Sequence, residues 1–149
     1  MDLRELRKIS FEFRRISSDM LNSISDDNNA YLIKFRNFID DTKIIKDYID
    51  SKVKYSTIDW SKSFIEEDCG FKSVITPTNQ NDHIKAMYDY LLVMTDRNKS
   101  LNGEAFDFHL GRCKVNERIQ FYLNRVFLPL VHYINDFLIE EMLSVDEKK

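Results

Sequence analysis

The sequence predicts an all-α fold, an antiparallel helical bundle of four to five main helices with an irregular segment around 56–82. Apolar residues recur at alternating steps of three and four over long stretches, which is the period of one helix face. Only three Gly and two Pro punctuate 149 residues, fewer than the turns of an all-β chain require. The composition, 43% hydrophobic and 32% charged with 11 Phe, 7 Tyr and one Trp, suits a single helical domain over 1–149 with one core.

Each helix has its own pattern. Over 3–25, Leu6, Ile9, Phe13, Ile16, Met20 and Ile24 share a stripe that ends at Asp26-Asp27-Asn28-Asn29. A second stripe holds Tyr31, Phe35, Phe38, Thr42, Ile45, Ile49 and Val53, with Arg36/Asp40, Lys43/Asp47 and Asp50/Lys54 as opposite charges four apart outside it. These two helices form an antiparallel hairpin with a coiled-coil-like seam. Ile33, Ile44 and Tyr48 lie off that stripe and call for a further covering surface.

From Ser56 to Asn81 the period weakens. Asp59 caps a short helix over WSKSFIEEDC that ends at Gly70, and FKSVITPT is extended up to Pro77. Asn81 or Asp82 caps a third long helix carrying Ile84, Met87, Tyr88, Leu91, Met94 and Thr95 on one face. Residues 97–112 form a loop with a helical turn around Phe106–Leu110. The helix from Val115 to Met142 then presents Val115, Ile119, Tyr122, Val126, Leu130, Tyr133 and Phe137 to the core. Pro129, lacking an N–H for the Arg125 carbonyl, should kink or break it.

The totals exclude several function classes. A net charge of -3 gives no global attraction to nucleic acid or anionic lipid. No apolar run approaches the ~20 residues a spanning helix needs, and MDLRELRKIS has no apolar leader region, so no membrane role and a cytoplasmic location are expected. Two cysteines, Cys69 and Cys113, fit a reduced compartment. Cys69, His83, His109 and Cys113 offer metal-ligand chemistry but not the two close pairs of a zinc site, so neither metal nor cofactor is expected. Trp60, Phe64, Phe71, Met87, Tyr90, Phe106 and Phe108 are assigned to the core. Phosphate-binding glycine loops and nucleophile elbows are absent.

Two sets of residues carry candidate function. On the back of the first helix Arg4, Arg7, Lys8, Arg14 and Arg15 surround Phe11, a face that suits phosphates, a base or a partner's pocket. The bland alternative is a solvated face balanced by Glu5, Glu12 and Asp19, with Phe11 covered by a neighbour. On the long C-terminal helix Arg118, Arg125 and His132 recur every seven residues and Asp136 follows one turn later.

The six residues between Arg125 and His132 give a spacing that resembles the arginine-to-histidine pattern of the HEPN family in its loosest form. That resemblance implies a small helical bundle that cuts RNA when two copies pair their motifs, the imidazole moving the 2′-hydroxyl proton and the guanidinium stabilising the phosphorane. Val126 stands where the family usually has a polar residue.

The function expected is a non-catalytic helical interaction module, binding another protein or itself as a homo-oligomer. Ile, Asn, Lys and Asp abound beside three Ala, a composition of AT-rich genomes that fits a small bacterial or phage regulatory or defence factor. The alternative is an RNA- or DNA-acting protein, in its sharp form a metal-independent ribonuclease using Arg125 and His132. Its softer form is a nucleic-acid binder using the basic face.

Overall fold

The computed structural model describes residues 1–97, 99–108 and 113–147. The order is α1 (Leu3–Leu21), a 3-10 turn (Ser25–Asp27), α2 (Ala30–Asp41), α3 (Lys43–Val53), α4 (Trp60–Ser63), β1 (Ile65–Asp68), β2 (Phe71–Val74), α5 (Gln80–Asp96), α6 (Leu101–Asp107) and α7 (Val115–Glu147). The molecule is a mostly helical bundle, as its periodicity predicts. Among the described residues no helix is long and apolar enough to cross a membrane.

α1 lies between α2 and α7. Phe13 meets Phe35 and Phe38 of α2 with ring centroids 6.0 and 6.3 Å apart. At the far end Gln120 of α7 donates to the Asn22 carbonyl at 3.3 Å and the Ser25 N–H donates to Asn116 at 2.9 Å. Met1 lies beside Phe137 and Glu141, so α1 and α7 run antiparallel. Because α1 is clasped from two sides, its buried arc holds Leu6, Ser10, Phe13, Ser17 and Met20, while Ile9 and Ile16 sit half-buried on its flank. Ile24 falls beyond the helix, where Asn28 and Asn29 take left-handed conformations that reverse the chain.

The helix expected over 31–53 is two helices. Thr42 is extended (φ -99, ψ 98), donating its N–H to Phe38 O and receiving those of Ile45 and Lys46, so one residue ends α2 and begins α3. Of the expected stripe Phe35, Ile45 and Ile49 are fully buried and Tyr31, Phe38, Thr42 and Val53 half-buried, while Leu32 and Ile39, off the stripe, are fully buried as well. The pairs Arg36–Asp40 and Lys43–Asp47 form, whereas Asp50 pairs back to Lys46 rather than forward to Lys54. Ile33, Ile44 and Tyr48 are half-buried within the chain itself, and Tyr48 stacks on Phe137 with centroids 4.2 Å apart.

The irregular segment holds a β-hairpin. The helix capped by Asp59 stops after one turn because Ile65–Asp68 pairs antiparallel with Phe71–Val74. Cys69 and Gly70, at φ 52 and 83, form the two-residue left-handed turn that matches strand twist. Phe71 and Phe106, assigned to the core from composition, are 49% and 66% exposed, while Phe64, Met87, Tyr90 and Phe108 are buried and Trp60 half-buried.

α5 begins one residue before its expected cap, with Asn79 accepting the Asp82 N–H. The turn expected around Phe106–Leu110 is instead α6, capped by Ser100; residues 109–112, His109 among them, lie outside the described residues. α7 does not break at Pro129. Phe127 and Leu130 are fully buried on either side of it, and a proline φ is itself helical, so core packing offsets one missing hydrogen bond. The buried set on α7 spans Ile119, Tyr122, Leu123, Val126, Phe127, Leu130, Val131, Ile134 and Leu138, a broader arc than one stripe. Val115 is 41% exposed, outside it, and Tyr133 and Phe137 are half-buried.

Candidate interaction surface

α1 is fixed as a rigid platform. Asp2 caps it by accepting the Glu5 N–H at 2.8 Å, and its other side is buried against α2 and α7. What remains outward is Arg4, Arg7, Lys8, Phe11, Arg14 and Arg15, all exposed, with Phe11 at 72%. Phe11 is therefore not covered by a neighbouring helix. Among the described residues none of the five cations has a hydrogen bond or ion pair within the chain.

The absence of pairing in α1 contrasts with α2, α3 and α5. Arg36–Asp40, Lys43–Asp47, Lys46–Asp50 and Lys85–Asp89 all pair at a spacing of four. α1 offers the same spacing and the same order of charges in Lys8/Glu12 and Arg15/Asp19, yet these four stay apart. Helix geometry puts them on one outward strip beside Phe11.

The cations divide by direction. Arg14 borders a groove of about 320 Å³ between α1 and α7, together with Leu21, Leu128, Val131, His132 and Asn135. Arg15 and Asp19 border a separate depression against Tyr31 and Phe38 of α2. Arg4, Arg7 and Lys8 belong to neither. In the lining of the α1–α7 groove the buried Ser17 hydroxyl and the Asn135 carbonyl oxygen have no hydrogen-bond partner among the described residues.

Arg125 and His132 do not share that groove. Arg125 is exposed and spans to the hairpin, donating to the Val74 carbonyl at 3.1 Å and to the Thr76 hydroxyl at 3.3 Å. His132 is exposed at the rim on the α1 side. Although two helical turns align their Cα atoms, the arginine is occupied with the backbone of β2, so the pair does not converge on one place where a phosphate would sit. Among the described residues the histidine enclosed by the fold is His83, whose Nδ1 lies 3.1 Å from the Tyr133 hydroxyl. Burial, and secondarily the Arg125 charge, hold its imidazole below the usual value.

A buried polar chain links four elements and has no counterpart in the sequence patterns. Glu104 of α6, 7% exposed, accepts from Lys72 of β2 at 2.8 Å and from the Tyr90 hydroxyl of α5 at 3.0 Å. Tyr90 and the Tyr122 hydroxyl of α7 are 2.6 Å apart. Burial pushes both phenols well above their ordinary value. The only hint in the sequence is a carboxylate inside the short α6, where register alone does not say which way it points. Among the described residues no group of three His, Cys, Asp or Glu side chains converges as a metal site would require. Comparison with protein-family models, with curated proteins and with solved structures returned no match for the chain.

Proposed function

We propose that the protein is a non-catalytic helical interaction module whose contact surface is the outward face of α1. The observation that carries this reading is Phe11, 72% exposed in the middle of five cations that find no partner in the chain. An exposed aromatic flanked by unpaired charges has the composition of an interface anchor with its polar rim. A rigid helix presents it with little ordering cost on binding.

The partner is a protein rather than a nucleic acid. Glu12 and Asp19 interleave with Lys8 and Arg15 on the same strip, where a phosphate backbone would meet carboxylates at every second position. The ribonuclease reading gains nothing from Arg125, which is engaged with Val74 and Thr76.

Placing a photo-crosslinking phenylalanine analogue at position 11 tests the surface, with Tyr55, equally exposed at 72%, as the control position. The expected result is a protein adduct at 11, missing at 55 and lost when Lys8→Glu and Arg15→Glu are added. Equal labelling at both positions would end the reading, and an RNA adduct at 11 would replace it with the nucleic-acid alternative.

A further inference from the structure

We infer that the partner of this surface is a second copy of the chain, with the two α1 helices packed antiparallel about a two-fold axis that crosses the helix between Phe13 and Arg14. The inference rests on the contact surface proposed above. Along α1 the outward strip runs Lys8, half-buried Glu12, Arg15 and Asp19, that is positive, negative, positive, negative, at steps of four, three and four. Read backwards the steps are unchanged and every sign is inverted. Such a strip is its own complement when a copy runs the other way.

The pairing follows from the register. An axis between residues 13 and 14 sets Lys8 opposite Asp19 of the second copy and Glu12 opposite Arg15, twice over, because a two-fold interface uses one patch on both sides. Parallel alignment would set Lys8 on Lys8 and Arg15 on Arg15. The same axis sets like flanks together, so exposed Phe11 of one copy lies on the same side of the seam as Phe11 of the other, five residues or about 7.5 Å apart along the helix axis, and each ring gains an apolar neighbour. The charges are also available: four other pairs at the same spacing close within their own helices, and these two do not. One helix face is a small contact made of exposed ion pairs, so the dimer is weak and salt-sensitive.

Sedimentation equilibrium on the full chain tests this. Wild type should dimerise at low salt, with dissociation rising at least about threefold between about 50 mM and about 500 mM NaCl as screening increases. Lys8→Glu with Arg15→Glu makes the strip wholly acidic, and Glu12→Lys with Asp19→Lys makes it wholly basic. Each should be monomeric alone, and an equimolar mixture of the two should restore a dimer. Phe11→Ala should weaken the wild-type dimer without altering its thermal melt.

A dimer that persists in both charge variants would place the contact on another face and overturn the inference. A wild type that stays monomeric at low salt would overturn it too. The crosslink at position 11 separates the two levels. With a monomeric wild type, an adduct to a different protein, lost in Lys8→Glu/Arg15→Glu, leaves the contact surface standing with another occupant. No adduct removes both, and an adduct of twice the 17.8 kDa chain mass supports both.

Discussion

Glu104→Ala should remove a large share of the stability of this fold. Glu104 is 7% exposed and accepts from Lys72, whose side chain is 16% exposed, and from Tyr90, which is 1% exposed. Truncation leaves the buried Tyr90 and Tyr122 hydroxyls, 2.6 Å apart, with one hydrogen bond between them for two protons, so one of the two donors is unsatisfied. An unsatisfied buried donor costs about 1–3 kcal/mol, and a lost hydrogen bond to a charged group about 1.5–3 kcal/mol. Lys72 recovers part of the second figure, since Asp107 lies 3.8 Å away. The net is about 3–5 kcal/mol, the range for removing one partner of a buried pair.

For a domain of this size that lowers the melting temperature by about 10 °C. Glu104→Gln keeps an acceptor for Tyr90 and loses only the charge facing Lys72, so it should cost about 1–2 kcal/mol. Urea unfolding followed by far-UV circular dichroism measures both. If Glu104→Ala unfolds within about 1 kcal/mol of wild type, the chain from Lys72 to Tyr122 is not holding the hairpin and α6 onto the bundle.

Two further predictions concern pH. Tyr88, Tyr90 and Tyr122 keep their phenol protons above the ordinary value of 10.0, mainly through burial. Above that value the unfolded chain has lost protons that the folded chain retains. Stability is therefore full below pH 10 and should fall as pH rises beyond it, by up to about 1.4 kcal/mol per unit for each group, as alkaline urea melts would measure. His83 has the opposite sign. Its folded value lies below 6.5 through burial and Arg125, so the unfolded chain takes up a proton first as pH falls. Stability should decline below pH 6.5, and His83→Gln should flatten that slope; an unchanged slope would refute the assignment.

The periodic part of the fold is legible in the sequence because helix faces repeat. Leu6, Phe13 and Met20, at steps of seven, share one face of a helix but would alternate between the two faces of a strand. The break at Thr42 is not legible, since the stripe continues across it and the turn is made by backbone hydrogen bonds. The hairpin is hidden for a similar reason. Ile65–Asp68 contains three consecutive acids that suit a helix, and only pairing with Phe71–Val74 across the Cys69–Gly70 turn makes it a strand. For the surface, the basic residues and Phe11 are found by helical geometry alone. That Phe11 is uncovered, and that Lys8 and Glu12 stay apart, depends on where α2 and α7 lie, which no local pattern specifies. Arg125 shows the converse: its spacing to His132 is legible in the sequence, and its hydrogen bond to a distant strand is not.

The clasp of α1 by α7 also governs the order of events at the ribosome. α1 ends at Leu21, and the helix that covers one of its sides begins at Val115. Until that later segment emerges, Leu6, Phe13 and Met20 have only α2 to shelter them. Synthesis at about 5–20 residues per second leaves that side bare for several seconds. During this interval the nascent chain offers an uncovered apolar edge, which is open to aggregation. The α1–α7 contact joins segments near opposite ends of the chain, the kind of non-local contact that slows folding.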